Sequence, residues 1–223
     1  MKILSKLLKK KSDKVSIILN SKGKHFIGGK ADSKVKIPKL ETSPVIYFGY
    51  ISKSEKHLPI LDFDLHLICP LFLDLQDPIF FDYTNPLKPI IIRENVSSNF
   101  DILFDNIPSS AYIEYEKMNF CFDNPMPTKM KIGVHEFEMV PGEIGHCEPA
   151  NWIQDENVPT CPINGKPMKF LFQLGGVDEC KTVKGQEILD KEYLDSYLNF
   201  GDGFLYIFYE PESKVIAYLN QIT

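Results

Sequence analysis

The feature that most limits the possible folds is a long apolar stretch near the C-terminal end, GFLYIFYEPESKVIAYLNQ at residues 203–221. Before its turn, apolar side chains fill both alternating sets of positions. One set is Leu205, Ile207 and Tyr209, and the other is Phe204, Tyr206 and Phe208. Because successive side chains of a strand point to opposite faces of a sheet, this pattern predicts a central strand buried on both sides. The Glu-Pro-Glu-Ser sequence at residues 210–213 predicts a hairpin turn into a second strand.

Short segments typical of strands recur through the rest of the chain. Examples are VIYFGYI, KPIIIRE and MKFLFQL, which are rich in aromatic or β-branched residues. Aromatic residues make up 12% of the chain, which favours sheet because their side chains fit a pleated, half-buried surface. The apolar stripe of residues 185–200, GQEILDKEYLDSYLNF, predicts one helix. The sequence therefore predicts an α+β fold, with a large, mostly antiparallel sheet and few helices.

The predicted domain organisation is a basic N-terminal helix at residues 1–14 and a single α+β domain at residues 15–223. The helix would carry four apolar side chains on one face and lysines on the other, and we expect that it packs on the body. A membrane-surface or partner-binding helix is the alternative. The four side chains are Ile3, Leu4, Leu7 and Leu8.

A faint internal similarity divides the domain into two halves, at about residues 15–128 and 129–223. HFIGGKADSKVKIP leads to LPILDFDL in the first half, and KMKIGVHEFEMVP leads to KPMKFLFQL in the second. Each half would run from a basic, glycine-containing loop to an apolar strand that a proline introduces. A duplicated half-domain and a chance similarity in a strand-rich chain both remain open.

Charge and composition argue against several classes of protein. The net charge of −5 argues against general nucleic-acid binding, which needs a basic surface. No apolar run approaches the 18 or so residues of a membrane helix, and the basic start is too short in apolar residues for a secretory signal. Five cysteines at irregular spacing do not suggest a disulfide framework. A cytoplasmic protein is therefore expected.

One group of histidine and cysteine residues could supply metal ligands by residue type, but it lacks the spacing of a zinc site. The group is His146, Cys147, Cys161 and Cys180. The sequence Cys-Pro-x-x-Gly at Cys161 resembles half a zinc knuckle, but the position of the second cysteine is Asn164. No metal and no cofactor are therefore predicted. No catalytic residue is predicted either, because the sequence contains neither Gly-x-Ser-x-Gly nor a phosphate-binding loop motif.

A second candidate cluster is Asp62, Asp64 and His66 in the sequence DFDLH. In a strand these three positions share one face, so two carboxylates and an imidazole would line up for metal or acid–base chemistry. The favoured interpretation is a solvent-facing set, with Phe63 and Leu65 pointing inward. The later HEFE sequence, from His135 to Glu138, lacks the second histidine of a metalloprotease helix.

Binding residues are predicted at Trp152, Gln154 and Gln173. Trp152 is the single tryptophan and lies in a loop, where tryptophan can anchor a partner. The favoured alternative is a lid on the core beneath it, with the two glutamines bonded to loop backbone, since buried amides need partners.

Three segments together resemble the YwqG-like family of bacterial proteins, a domain of unknown function. They are HFIGG, NWIQDENVPTCPINGKPMKFLFQL and LNFGDGFLYIFYEP, and the resemblance is concentrated in the second half of the chain. It implies an α+β fold of two similar halves around a large sheet and no established reaction. We therefore expect a non-catalytic protein-binding module, of which an antitoxin or immunity protein is one form. The alternative is an enzyme or small-ligand binder with a cleft between the two halves.

Overall fold

A computed structural model describes most of the chain. The described ranges are residues 14–41, 43–71, 77–92, 107–125, 127–132, 135–192 and 194–223. The predicted basic helix at residues 1–14 lies outside them except for Lys14.

Strands dominate the described residues. In the first predicted half they are β1 Ser16–Leu19, β2 His25–Ile27, β3 Val45–Ile51, β4 Leu65–Pro70, β5 Ile79–Asp82, β6 Ile90–Ile91, β7 Glu114–Tyr115 and β8 Met118–Asp123. In the second half they are β9 Thr128–Ile132, β10 His135–Met139, β11 Glu143–His146, β12 Lys169–Leu174, β13 Val177–Lys184, β14 Tyr197–Leu198, β15 Gly203–Glu210 and β16 Val215–Ile222. The one α-helix among the described residues is α1, Gln186–Leu189.

The α+β prediction is wrong, because 42% of the structure is strand and only 3% is helix. The predicted helix at residues 185–200 is the single turn α1, a 3-10 turn at Asp190–Glu192 and the short strand β14. Leu189 and Leu198 are each 1% exposed, so the apolar stripe is buried against the core from a turn and a strand instead. Tertiary packing here overrides the helical periodicity. No helix in the described ranges is long and apolar enough to cross a membrane.

One antiparallel sheet of 11 strands forms the body, in the order β4-β3-β2-β8-β1-β11-β12-β15-β16-β5-β6. Within this sheet, strands of the two predicted halves pair twice, where β1 pairs with β11 and where β16 pairs with β5, and β13 pairs with β7 outside it. Two smaller sheets accompany it, the hairpin β9–β10 and the set β14-β13-β7. Whether the halves are a duplication stays a prediction.

The central strand is confirmed. β15 pairs with β16 in continuous register from Gly203–Ile222 to Glu210–Val215, and its other edge pairs with β12. One face of β15 packs in the larger of two buried clusters through Leu205, Ile207 and Tyr209. The opposite face packs in the smaller cluster through Tyr206 and Phe208.

The large sheet folds over so that strands far apart in its order touch. β3 and β16 have six strands between them, yet the rings of Phe48 and Tyr218 lie 6.0 Å apart. The Tyr218 hydroxyl accepts the Ile68 N–H of β4 at 3.4 Å. The Tyr83 hydroxyl, just after β5, donates to the His66 carbonyl at 2.6 Å. The larger buried cluster is therefore enclosed by two ends of one sheet.

Candidate functional site

A cavity of about 570 Å³ lies beside the junction of β1 and β11. Val15 and the turn at residues 57–60 line it from the first predicted half. Residues 147–148 and 168–171 line it from the second half. Its volume falls within the range of about 300–1,000 Å³ that is usual for small-molecule sites. The cavity thus lies between the two predicted halves.

The walls of this inter-half cavity are mainly apolar, and its charged groups lie at the mouth. The apolar side chains that reach the cavity include the half-buried Val15, Ile60 and Phe170. Glu148 and Lys169 are exposed. Opposite charges at an exposed mouth leave an apolar interior, which is the usual arrangement of a ligand pocket.

One wall of the cavity is held by a buried hydrogen bond between His25 and Glu55. The turn at residues 55–61 is closed by backbone bonds from Leu58 N–H to the Glu55 carbonyl and from Leu61 N–H to the Leu58 carbonyl. Below it, His25 Nε2 donates to Glu55 Oε2 at 2.8 Å. His25 Nδ1 accepts the Ser52 N–H at 3.0 Å, which fixes the tautomer with the proton on Nε2. His25 and Glu55 are 0% and 6% exposed, so the pair is shielded from water.

Burial lowers the pKa of His25, although its bond to Glu55 acts in the opposite direction. Burial by itself would raise the pKa of Glu55. Hydrogen bonds from the His57 N–H and from His25, with the charge of Lys24, outweigh burial and lower that pKa. The pair is therefore a neutral imidazole that donates to an ionised carboxylate, and it fixes the wall at neutral pH.

The buried thiol of Cys147 is not arranged for nucleophilic chemistry. Burial, with smaller contributions from Glu55 and Glu148, raises the pKa of Cys147 to about 12. Since the thiolate is the reactive form, this thiol is protonated and unreactive at neutral pH. The cavity is therefore better suited to binding than to cysteine catalysis.

The three cysteines that were candidate metal ligands do not come together at one place in the fold. Cys147 and Cys180 pack in the larger cluster, whereas Cys161 packs in the smaller cluster on the opposite face of the sheet. His146 Nδ1 donates to the Cys147 carbonyl at 2.7 Å. All five cysteines are free thiols. Over the described ranges, no three metal-binding side chains group in a way that could hold an ion.

The three DFDLH residues do not act as one cluster. Asp62 accepts the Tyr209 hydroxyl at 2.9 Å and pairs with Lys214 at 3.2 Å. Asp64 accepts the Lys53 N–H at 3.0 Å. His66 lies with its Nδ1 3.4 Å from the Tyr47 hydroxyl. None of the three lines the inter-half cavity.

The predicted alternation around DFDLH holds for the inward positions. Phe63, Leu65 and Leu67 are 6%, 0% and 0% exposed. His66, which was expected to face solvent, is only 8% exposed. The rings of Tyr47 and Tyr50 lie 6.0 and 5.5 Å from it and cover it. The side chains of the HEFE sequence lie outside the described residues.

The loop after β11 is held against the sheet by ring stacking and hydrogen bonds of three side chains, Trp152, Gln154 and Gln173. The Trp152 ring stacks on Tyr206 at 4.9 Å and 14°. Gln173 Oε1 accepts the Asn151 N–H at 2.7 Å, and Gln154 Nε2 donates to the Ile222 carbonyl at 3.0 Å. This is the lid arrangement that the sequence favoured. A binding role for the three residues stays a prediction.

Sequence reasoning missed Gln221, which does more of this fastening than Gln154. Its Oε1 lies 3.3 Å from the backbone nitrogens of Ile153 and Gln154, and its Nε2 donates to the Asp155 carbonyl at 3.0 Å. A signal was present, since Gln221 is a polar residue at the end of an apolar strand. No comparable signal marked the cavity or the pair of His25 and Glu55.

The sequence matches no family model, no curated protein and no solved structure. The resemblance to YwqG-like proteins therefore stays a prediction, and the site must be interpreted from its own geometry.

Proposed function

We propose that this protein is a non-catalytic binding protein and that the inter-half cavity holds a small ligand with an apolar body. The observation that carries the proposal is the cavity itself, about 570 Å³ with mainly apolar walls. Removing apolar surface from water contributes roughly 25 cal/mol per Å², so such walls favour an apolar occupant. The wall pair of His25 and Glu55 supports a preformed site, because it fixes the turn before any ligand arrives.

A fluorescent probe tests this proposal. N-phenyl-1-naphthylamine is uncharged and becomes bright in apolar surroundings. It is titrated into the full chain and into two variants with the same substitution. Ile60→Trp narrows the cavity, whereas Ile163→Trp alters a turn residue that is 62% exposed and outside the cavity.

We expect saturable binding to the wild-type chain and to Ile163→Trp, and an affinity at least about tenfold lower for Ile60→Trp. Far-UV circular dichroism verifies that each variant is folded. If Ile60→Trp does not fold, Pro59→Trp at an exposed lining position replaces it. Equal affinity in all proteins, or no saturable binding, would refute the proposal.

A protein-binding module, including an antitoxin or immunity protein, is not favoured by a specific observation on the described surface. Trp152, Gln154 and Gln173, which were chosen for it, are engaged within the chain. The small-ligand alternative is therefore preferred, without the DFDLH residues that were expected to face the cleft.

A further inference from the structure

The mouth of the inter-half cavity carries one positive and one negative side chain. Lys169 begins β12 and Glu148 follows Cys147 at the end of β11, and both are exposed. Neither forms an ion pair within 4.0 Å with another described residue. Some lysines elsewhere have acidic partners, as Lys14 does with Glu143 at 2.8 Å. The two charges at the mouth thus remain available to a ligand.

We propose that the ligand is a zwitterion with a large apolar side chain, that is, a free apolar α-amino acid. This inference rests on the proposed function of the cavity. Its ammonium group would lie toward Glu148, its carboxylate toward Lys169, and its side chain against the half-buried Val15, Ile60 and Phe170. A singly charged ligand would leave one of the two mouth charges without a partner and would place its own charge beside a like charge.

The expected contribution of each ion pair to the affinity follows from the solvent exposure of Lys169 and Glu148. An ion pair at a solvent-exposed site changes an equilibrium by a factor of about two to five, because water and salt screen it. Two such contacts together correspond to a factor of about 4 to 25. The apolar side chain therefore supplies most of the affinity, and the two charges supply discrimination among ligands with the same side chain.

Four indole compounds that differ in charge test this inference by isothermal titration calorimetry at pH 7.5. L-tryptophan is the zwitterion, tryptamine the cation, indole-3-propionate the anion and N-acetyl-L-tryptophanamide the neutral form. We expect L-tryptophan to bind more tightly than the neutral form by a factor of about 4 to 25, with the two singly charged compounds in between.

Two variants assign each charge to its partner. Lys169→Met should lower the affinity for L-tryptophan and for indole-3-propionate about two- to fivefold. It should not lower the affinity for tryptamine. Glu148→Gln should lower the affinity for L-tryptophan and for tryptamine by a similar factor. It should not lower the affinity for indole-3-propionate. Lys166→Met and Glu212→Gln are matched controls, since these exposed residues pair with each other outside the cavity. They should change no affinity.

Equal affinity for all four compounds would overturn the inference, because the head group would then not be recognised. Tightest binding by tryptamine or by indole-3-propionate would overturn it in favour of a singly charged ligand. If no indole compound binds while N-phenyl-1-naphthylamine binds and Ile60→Trp blocks it, the inference fails and the proposed function stands. If neither kind of compound binds, both fail.

Discussion

Acidification from pH 7.5 to pH 5.5 should lower the free energy of unfolding substantially, because three histidines are buried. His25, His66 and His146 are 0%, 8% and 6% exposed. Burial is the main cause that lowers the pKa of each below the usual 6.5. The unfolded chain therefore takes up protons near pH 6.5 that the folded chain does not. The contribution of these neutral histidines to the free energy of unfolding is fully present above about pH 6.5. It is lost as the pH falls toward their lowered pKa values.

The magnitude follows from proton linkage. A histidine that stays neutral in the folded protein down to pH 5.5 lowers the free energy of unfolding by about 1.4 kcal/mol over this interval. Three such residues give about 4 kcal/mol, a large part of the roughly 5–15 kcal/mol that is typical of a folded domain. This sum is an upper bound, because neighbouring groups make protonation easier. Examples are the Glu55 carboxylate at His25 and the Asp64 carboxylate near His66.

Urea denaturation at pH 7.5, 6.5 and 5.5 measures the effect, with the fluorescence of Trp152 as the signal. His25→Gln, His66→Gln and His146→Gln are compared with the wild-type chain. Each variant starts from its own stability at pH 7.5, and the measured quantity is the loss between pH 7.5 and pH 5.5. We expect this loss to be smaller in each variant by up to about 1.4 kcal/mol.

The reasoning would be refuted by a wild-type chain whose free energy of unfolding is the same at the three pH values. It would also be refuted if the three variants lost as much stability as the wild-type chain, since the protons would then be taken up elsewhere. A pH-independent denaturant slope ensures that the unfolding reaction is the same throughout.

Four further substitutions test the packing by denaturation followed with circular dichroism. Gly28→Ala should cost about 3 kcal/mol or more, because φ is +69° and the new Cβ would lie 2.0 Å from the Glu116 carbonyl oxygen. Gly165→Ala, with φ of +71° and open space around it, should cost only about 1 kcal/mol, and equal losses would contradict the steric cause. Trp152→Ala should cost about 2–3 kcal/mol, because its ring covers the smaller cluster, and a loss below about 0.5 kcal/mol would contradict its role as a lid. Cys161→Ser should cost only about 1 kcal/mol, because a hydroxyl keeps the contact with Ser213 that the thiol makes at 3.2 Å, and a loss above about 3 kcal/mol would indicate a packing role instead.

Patterns of two-residue period predicted the sheet well, because burial on a strand is a local property. The two apolar faces of β15 required a layer on each side, and both layers are present. Helical periodicity was misleading at residues 185–200. Leu189 and Leu198 both belong to the broad apolar stripe that predicted the helix, but each is buried from a different element because β14 pairs with β13. Periodicity records which side chains are buried and does not record the partner that buries them.

The residues that line the cavity could not be predicted, because they come from parts of the chain that only the strand order brings together. Val15 and Cys147 become neighbours through a backbone bond of 2.8 Å beside the pairing of β1 with β11. No sequence motif marks either residue. The hydrogen bonds between the glutamine side chains and the loop were easier to predict, because a buried amide beside an irregular loop has few other partners.

The position of β16 inside the sheet has a consequence for synthesis on the ribosome. β16 is the last described strand in the chain, yet it lies between β15 and β5 and pairs with both. Strands β5 and β6 therefore have no place in the sheet until residues 215–222 have left the exit tunnel. Until then the nascent chain exposes unpaired strand edges and apolar faces, which favour aggregation.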